Sequence, residues 1–300
     1  MTLALAALLA CRPEPPGGGA PRALWFGGDV HLGAEPRATL SGITELVGDA
    51  VGVVNLEGPI VAGPGHARLT PAGVLLANPD STARFLRGNR IVAASVANNH
   101  AADQGGAGGI RMTTARLRAG GVAPLGSVAG PGRLLLGDQI VVLFAHDLGE
   151  EDVPAAVRRE LLGKGDSTGA VVVESFHVTG PPSYLPTPDL VAAVEAAVLA
   201  GVDIVVAHGT HVVGPVERRG GTVIAWGLGN LLFDCTCTED DEGLVLKVSL
   251  EAGHPAEVFP VRAGLGGAGA TAAPDPDAIL DLVDALGGTR LVREGEGGRF

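Results

Sequence analysis

Short apolar runs that end in polar, chemistry-bearing residues limit this chain to a layered α/β architecture. The runs are ALWFGGDV, VGVVNLEG, RIVAASVANNH, TGAVVVESFH and GVDIVVAHGTH, and segments with helix signals separate several of them. Strands that alternate with helices favour a parallel sheet, whereas later runs such as VERRGGTVIAW read as antiparallel hairpins. The pattern therefore predicts mixed sheets, stacked as two layers and flanked by helices.

The composition and net charge of the chain limit the kinds of molecule that it can bind. Of the 300 residues, 46% are hydrophobic and 18% charged, so the chain can bury a large core and is not a disordered one. The formal net charge of −12 argues against a nucleic-acid partner. Binding of an anionic polymer or a phosphoester substrate would require a metal, or local positive charge, to offset the repulsion from this net negative charge.

The first 21 residues predict a leader and a linker rather than part of the fold. Residues 1–10 are apolar, LLAC ends at Cys11, and RPEPPGGGAP follows as a Pro/Gly linker. We interpret Cys11 as a lipidation site, which makes the protein an exported lipoprotein held at the membrane of the cell envelope. The alternative is an apolar cytosolic tail, because no Lys or Arg precedes Cys11, although a misassigned start codon would explain that absence.

The remaining chain reads as one catalytic domain over 22–265, followed by a C-terminal helix and a polar tail over 266–300. Helices are predicted near 38–47, 80–88, 109–119, 189–199 and 274–286. Cys235 and Cys237 form a Cys-Thr-Cys pair. A disulfide is the first interpretation in an oxidising compartment; a soft metal trap or two inert thiols are the alternatives.

Three groups in the first half of the chain are candidate metal ligands. Asp29 and His31 lie two apart, so on an extended backbone both can face one ion. Glu57 ends a strand, where a buried carboxylate needs a cation. Asn99 offers an amide oxygen, and its neighbour His100 is a candidate proton donor to a leaving group. The alternatives are turn chemistry for the Asp and Asn segments and a solvated loop acid for Glu57.

Three histidines complete the set. His208 and His211 flank Gly209, which allows a tight turn that folds both imidazoles toward one point. His177 follows VVVESF. The alternatives are exposed loop histidines for the first two and a satisfied core histidine for His177. Seven ligands exceed the need of one ion and suit two ions about 3.5–4 Å apart. Nitrogen and oxygen donors without thiolate fit Mn, Fe or Zn.

The order of these motifs resembles the CapA capsule-synthesis family, which is tied to poly-γ-glutamate capsules and related to calcineurin-like metallophosphoesterases. The resemblance runs from Trp25 to Asp234 and rests on GGDVHLG, NLEGPI, the segment from Ala97 to Ile110, DIVVAHGTHVVGPVE and GLGNLLFD. It implies a four-layer α/β-β/α sandwich of the metallophosphoesterase type, with a dimetal-type site at strand ends.

The resemblance also implies residue roles. Asp29 and His31 match the opening metal pair, Asn99 and His100 the Asn ligand with its catalytic neighbour, and His208 and His211 the closing pair. Glu57 stands where the phosphoesterases use a bridging Asp, and the family's His-Trp-Gly stretch is replaced by FHVTGPPSY.

Two further residues, Tyr184 and Asn230, are candidate substrate contacts. Together these features predict a phosphoesterase-like hydrolase that acts on a phosphoester or an envelope polymer, with metal-activated water as nucleophile and His100 as acid. The alternative is a non-catalytic capsule assembly factor with capsule-synthesis partners on the same fold.

Overall fold

The computed structural model describes residues 21–34, 39–71, 73–150, 153, 169–235 and 237–300. The leader and Cys11 therefore lie outside the described residues. None of the described helices has the length and hydrophobicity needed to cross a bilayer.

The first sheet has eleven strands. Its strands are β1 (Ala23–His31), β2 (Val51–Leu56), β5 (Ile91–Ser95), β6 (Ala123–Leu125), β13 (Asn230–Phe233), β14 (Glu242–Ser249), β15 (Ala256–Arg262), β16 (Gly264–Leu265), β17 (Thr271–Ala272), β18 (Val292–Glu294) and β19 (Gly297–Arg299). The main order is β18-β19-β15-β14-β1-β2-β5-β6, with β13 beside β1. Strands β1, β2, β5 and β6 run parallel, whereas β14 and β15 are antiparallel to their neighbours.

The second sheet has six strands in the order β11-β12-β10-β9-β8-β7. These are β7 (Gly132–Leu136), β8 (Gln139–Asp147), β9 (Val171–His177), β10 (Ile204–His208), β11 (Val216–Arg219) and β12 (Thr222–Ala225). The four central strands are parallel and the two edges antiparallel. A separate hairpin pairs β3 (His66–Thr70) with β4 (Gly73–Ala77).

Three apolar clusters hold four layers together. One cluster joins inward side chains of both sheets, including Phe26 of β1 and Leu143 of β8. The second lies between the first sheet and helices α1 (Ser41–Val47), α2 (Thr82–Gly88) and α3 (Gly106–Ala119). The third packs α4 (Pro188–Leu199) on the second sheet. This is the four-layer sandwich that the resemblance implies.

Local signals explain where the later helices begin. The Thr187 side chain accepts a hydrogen bond from the backbone N–H of Leu190 at the start of α4, and Asp275 does the same for Ala278 at the start of α5 (Pro276–Ala285). Both helices carry Pro at the first turn, where no backbone donor is needed.

The C-terminal part departs from the sequence expectation in one feature and agrees with it in another. The segment expected to be a polar tail instead forms the hairpin β18–β19, which extends the first sheet beside β15. The pattern EGEGGR is too polar to read as a strand, and the pairing with β15 overrides that local signal. Cys235 and Cys237 form a disulfide, as the first interpretation of this pair expected.

Candidate metal centre

The carboxyl ends of strands from both sheets meet at one edge of the sandwich. In the first sheet Asp29 of β1 lies opposite Asn55 of β2, and in the second sheet His208 of β10 lies opposite His177 of β9. All four side chains are buried. Parallel pairing aligns equivalent strand ends, so residues distant in sequence reach one point.

Asp29 is held from both sheets. Asn55 donates from Nδ2 to Oδ1 of Asp29 at 2.9 Å, and the backbone N–H of Gly209 donates to Oδ2 at 3.1 Å. The Nδ1 atoms of His208 and His211 lie 3.7 and 3.5 Å from the same carboxylate. The carboxylate is therefore fixed in orientation and surrounded by imidazoles.

Glu57 and His177 form the second part of the centre. Nε2 of His177 donates to Oε1 of Glu57 at 3.0 Å. Among the described residues, Asp29, Glu57 and His177 each offer one ligand atom, and these atoms all lie within 4.8 Å of one another. This separation is compatible with a shared cation.

The two carboxylates titrate in opposite directions. Burial and the nearby charge of Glu57 raise the pKa of Asp29 to about 6. Burial also acts to raise the pKa of Glu57, but the hydrogen bond from His177 and the charges of His211 and His177 outweigh it and lower that pKa to about 2. Because the two carboxylates repel each other, Glu57 ionises first and Asp29 keeps its proton to a higher pH. A bound cation would offset this repulsion.

The expectation for Asn99 is corrected by the structure. Asn99 is exposed, whereas its neighbour Asn98 is buried and donates from Nδ2 to Oδ1 of Asn55 and to the carbonyl of Leu56. The bend that follows β5 turns Asn98 inward and Asn99 outward. Adjacent asparagines cannot be told apart in sequence because either can occupy such a turn.

Asn55 is a residue of the centre that the sequence reasoning missed. Its Nδ2 reaches Oδ1 of Asp29 at 2.9 Å and Oε1 of Glu57 at 3.5 Å. The signal was present in the spacing, because Asn55 lies two residues before Glu57 near the end of the same strand.

The closing histidines occupy different environments. Burial and the neighbouring charge of His177 lower the pKa of His208 to about 3, so this ring is neutral and suited to bind a metal. His211 is partly exposed and has a positive φ of 57°. Burial alone would lower the pKa of His211, but the charges of Glu57 and Asp29 raise it overall.

Asn230 supports His211 rather than facing a substrate. It is fully buried, its Oδ1 accepts a hydrogen bond from Nδ1 of His211 at 3.0 Å, and its Nδ2 donates to the carbonyl of Asp240 at 3.0 Å. The expectation that Asn230 contacts substrate is therefore replaced by an orienting role for the neighbouring ring.

His31 does not share the position of Asp29. Although it lies two residues beyond Asp29 on the same strand, its ring reaches the separate hairpin, where Nε2 of His31 lies 3.3 Å from the carbonyl of Ala77 in β4. Burial lowers the pKa of His31, so the ring is neutral. His31 is not in the converging group, and its ligand role stays a prediction.

His100 lies at the rim, beside an acid that the sequence reasoning did not single out. Nδ1 of His100 donates to Oδ2 of Asp103 at 2.7 Å, and the same oxygen accepts from the backbone N–H of Leu76. Burial acts to lower the pKa of His100, but the hydrogen bond to Asp103 and the charge of Glu57 raise it overall. The protonated ring is thus favoured.

A cavity of about 500 Å³ opens beside these histidines. Among the described residues, its lining is His100, His211, Val74, Leu76, Pro182, Phe233, Cys237, Thr238, Glu239 and Asp240. Tyr184 is not among them: it is exposed and its hydroxyl donates to Glu242 at 3.4 Å. A substrate contact by Tyr184 therefore stays a prediction, whereas Glu239 and Asp240 are cavity residues that sequence reasoning missed.

Unpartnered buried atoms test whether a metal fits this centre. Within the described ranges, Glu57 Oε2, Asn98 Oδ1, His177 Nδ1 and His208 Nδ1 are buried and make no hydrogen bond. Buried polar atoms normally have partners, and all four carry lone pairs in the appropriate protonation state. The donor set of carboxylate, amide and imidazole therefore fits a divalent metal.

The layered fold and this donor set define the protein as an α/β sandwich with a candidate metal centre at the strand ends. The model of the family described as bacterial capsule synthesis protein PGA_cap matches residues 23–132 and 145–235. The chain belongs to this family, which confirms the CapA resemblance.

Other comparisons bear on fold alone. A solved structure of a hypothetical protein from Thermus thermophilus has a TM-score of 0.54 and 16% identity, over 79% of this chain and 97% of that one. This similarity supports the α/β sandwich. A comparison with curated proteins finds no match.

Proposed function

We propose that this capsule synthesis protein is a metal-dependent phosphoester hydrolase of the cell envelope. The observation that carries the proposal is the buried convergence of Asp29, Glu57 and His177 within 4.8 Å, with Glu57 Oε2 left unpartnered. Two ions of Mn, Fe or Zn remain the proposed cofactor, because the donors are oxygen and imidazole nitrogen.

Different residues would serve metal binding and proton transfer. Asp29, Glu57, Asn98, His177 and His208 would hold the metal. A bound divalent metal would polarise the phosphoryl group and make water a better nucleophile.

His100 would donate a proton to the leaving group. Its Nδ1 is engaged by Asp103 at 2.7 Å, so Nε2 is the nitrogen left for transfer. The raised pKa of His100 favours the acid form that this role requires.

The cavity favours a compact phosphoester over a long anionic polymer. Glu239 and Asp240 lie on its wall, and the described lining includes no Lys or Arg. A polyanion such as poly-γ-glutamate would meet like charge there. We therefore propose that the anionic group of the substrate is met by the metal and the imidazoles.

The proposed location follows the sequence expectation. We propose that Cys11 is lipidated and anchors an exported protein to the membrane. Fractionation of cells that express wild type and Cys11→Ala tests this: release of the variant from membranes is expected, and unchanged fractionation would reject it.

Metal content and hydrolysis tests decide the activity. Purified protein is loaded with Mn, Fe or Zn and assayed on p-nitrophenyl phosphate and bis-p-nitrophenyl phosphate. We expect stoichiometric metal, loss of metal in Glu57→Gln, and loss of activity with metal retained in His100→Ala. Glu217→Gln is the matched control, because Glu217 pairs with Arg219 away from the centre.

Two outcomes would overturn the proposal. Wild type that binds metal but hydrolyses neither ester would favour the assembly factor. Wild type without metal would refute the metal centre itself.

A further inference from the structure

Asn55 bridges the two carboxylates of the candidate metal centre. It is fully buried, and its Nδ2 carries two N–H groups. Their acceptors are Oδ1 of Asp29 at 2.9 Å and Oε1 of Glu57 at 3.5 Å. One amide therefore engages one oxygen of each acid.

The orientation of this amide is set by a backbone carbonyl. The carbonyl of Leu56 can only accept a hydrogen bond, so the group of Asn98 that faces it at 2.9 Å must be Nδ2. The second N–H of Asn98 then donates to Oδ1 of Asn55 at 3.0 Å. Because Oδ1 of Asn55 is engaged, its Nδ2 faces Asp29 and Glu57.

The same chain of hydrogen bonds determines which oxygens stay free. Both N–H groups of Asn98 are used, which leaves its Oδ1 buried without a described partner. Oε1 of Glu57 receives Asn55 and His177, which leaves Oε2 without one. The free oxygens are those that a cation could take.

We propose that Asn55 is the positioning residue that sets the spacing and orientation of Asp29 and Glu57 for metal binding. The Leu56 carbonyl fixes the orientation of the Asn98 amide, and Asn98 in turn fixes the orientation of the Asn55 amide. The inference rests on the proposed metal-dependent function. Two buried carboxylates repel each other, and an N–H donor shared between them offsets that repulsion while leaving the other oxygens available. Without Asn55, only the Gly209 N–H would hold Asp29 and only His177 would hold Glu57, so each acid would rotate more freely and the free oxygens would converge less well.

The test compares Mn²⁺ binding by calorimetry in wild type, Asn55→Leu and Thr222→Val. Leucine keeps a similar volume and removes the donor. Thr222 is the matched control, because its buried hydroxyl donates to the Val202 carbonyl in the second sheet, remote from the metal ligands. We expect Asn55→Leu to weaken Mn²⁺ binding roughly 10–100-fold, as measured for groups that orient ligands, and Thr222→Val to leave it unchanged.

A metal-free measurement separates this inference from the proposed function. Thermal unfolding of wild type, Asn55→Leu, Glu57→Gln and the double variant forms a cycle. We expect the double variant to lose less melting temperature than the sum of the single losses, because Asn55 acts on the Glu57 carboxylate.

The two experiments test the positioning role of Asn55 and the proposed metal-dependent function separately. Equal Mn²⁺ affinity in wild type and Asn55→Leu would overturn the positioning role and leave the metal function intact. If wild type binds no metal, the proposed function fails, and the cycle decides alone: additive losses overturn the contact between Asn55 and Glu57, and non-additive losses support it.

Discussion

The backbone N–H of Gly209 donates to Oδ2 of Asp29 at 3.1 Å, across 180 residues of sequence. Gly209 follows β10 in the second sheet, and Asp29 lies near the end of β1 in the first. The contact therefore joins the two sheets at the candidate metal centre. It also places Gly209 so close to His177 that no side chain fits between them.

Replacing Gly209 by alanine is expected to disrupt the centre. A Cβ there would meet the carbonyl of Val178 and lie 2.7 Å from Nε2 of His177, and the φ of 79° is unfavourable for alanine. We expect Gly209→Ala to lose metal and to destabilise the protein by about 1–3 kcal/mol. Metal analysis and chemical denaturation measure both effects.

Gly201 supplies the matched control for this change. Its φ of 78° is nearly the same, and nothing lies within 4 Å of a Cβ built on it. Gly201→Ala should cost about 1 kcal/mol from backbone strain and keep the metal. Equal metal loss in both variants would show that backbone strain, and not the contact with His177, is the cause.

The contact between His100 and Asp103 predicts a shift in the pH profile of hydrolysis. Burial lowers the pKa of His100, while Asp103 raises it. Asp103→Asn should therefore lower that pKa, so that the high-pH limb of the rate profile moves to lower pH. His100→Ala should cost about 10²–10⁴-fold in kcat. An unmoved limb in Asp103→Asn would show that His100 is not the acid.

Metal-free stability should depend on Asp29 between pH 4 and pH 7. The folded pKa of about 6 exceeds the ordinary 3.8, so folding favours the protonated acid and this contribution is lost as the pH rises through 6. Asp29→Asn should match wild type near pH 4 and exceed it by on the order of 2 kcal/mol at pH 7. Urea unfolding in EDTA at both pH values measures the difference. A constant difference would contradict the raised pKa.

The acidic wall of the cavity should select against polyanions. Glu239 is exposed and makes no ion pair among the described residues, whereas Asp241 pairs with Arg262 at 3.1 Å. Glu239→Gln should lower the KM for a phosphoester with extra negative charges several-fold at low salt, and high salt should remove the gain. Asp241→Asn is the control and should leave KM unchanged, and an equal response in both would refute local selection.

Much of the fold could be predicted because its signals are local. The apolar runs before Asp29, Glu57 and His208 all form buried segments, and the α4 helix begins one residue before its predicted start. The order of strands and helices along the sequence was sufficient to predict the sandwich. The tail hairpin was missed because its pairing with β15 depends on a partner far away in sequence.

The site was harder to predict at the level of single residues. Alternation along β1 predicts that His31 faces the same side as Asp29, but the His31 ring contacts the carbonyl of Ala77 in β4 and does not join the group of Asp29, Glu57 and His177. The choice between Asn98 and Asn99 depended on which way a bend turns. The spacing of Asn55 and Glu57 indicates only that both face the same side of β2, whereas the contact of Asn55 with Asp29 arises only in the folded chain.

The division of ligands between the two sheets has a consequence for the whole molecule. Asp29 lies in β1 of the first sheet and Glu57 directly follows β2 of that sheet, whereas His177 and His208 end strands of the second sheet. A bound ion would act as a cross-link between the halves of the sandwich, so unfolding would require its release. The melting temperature should then rise with free metal concentration, which makes metal supply a determinant of how long the folded protein persists.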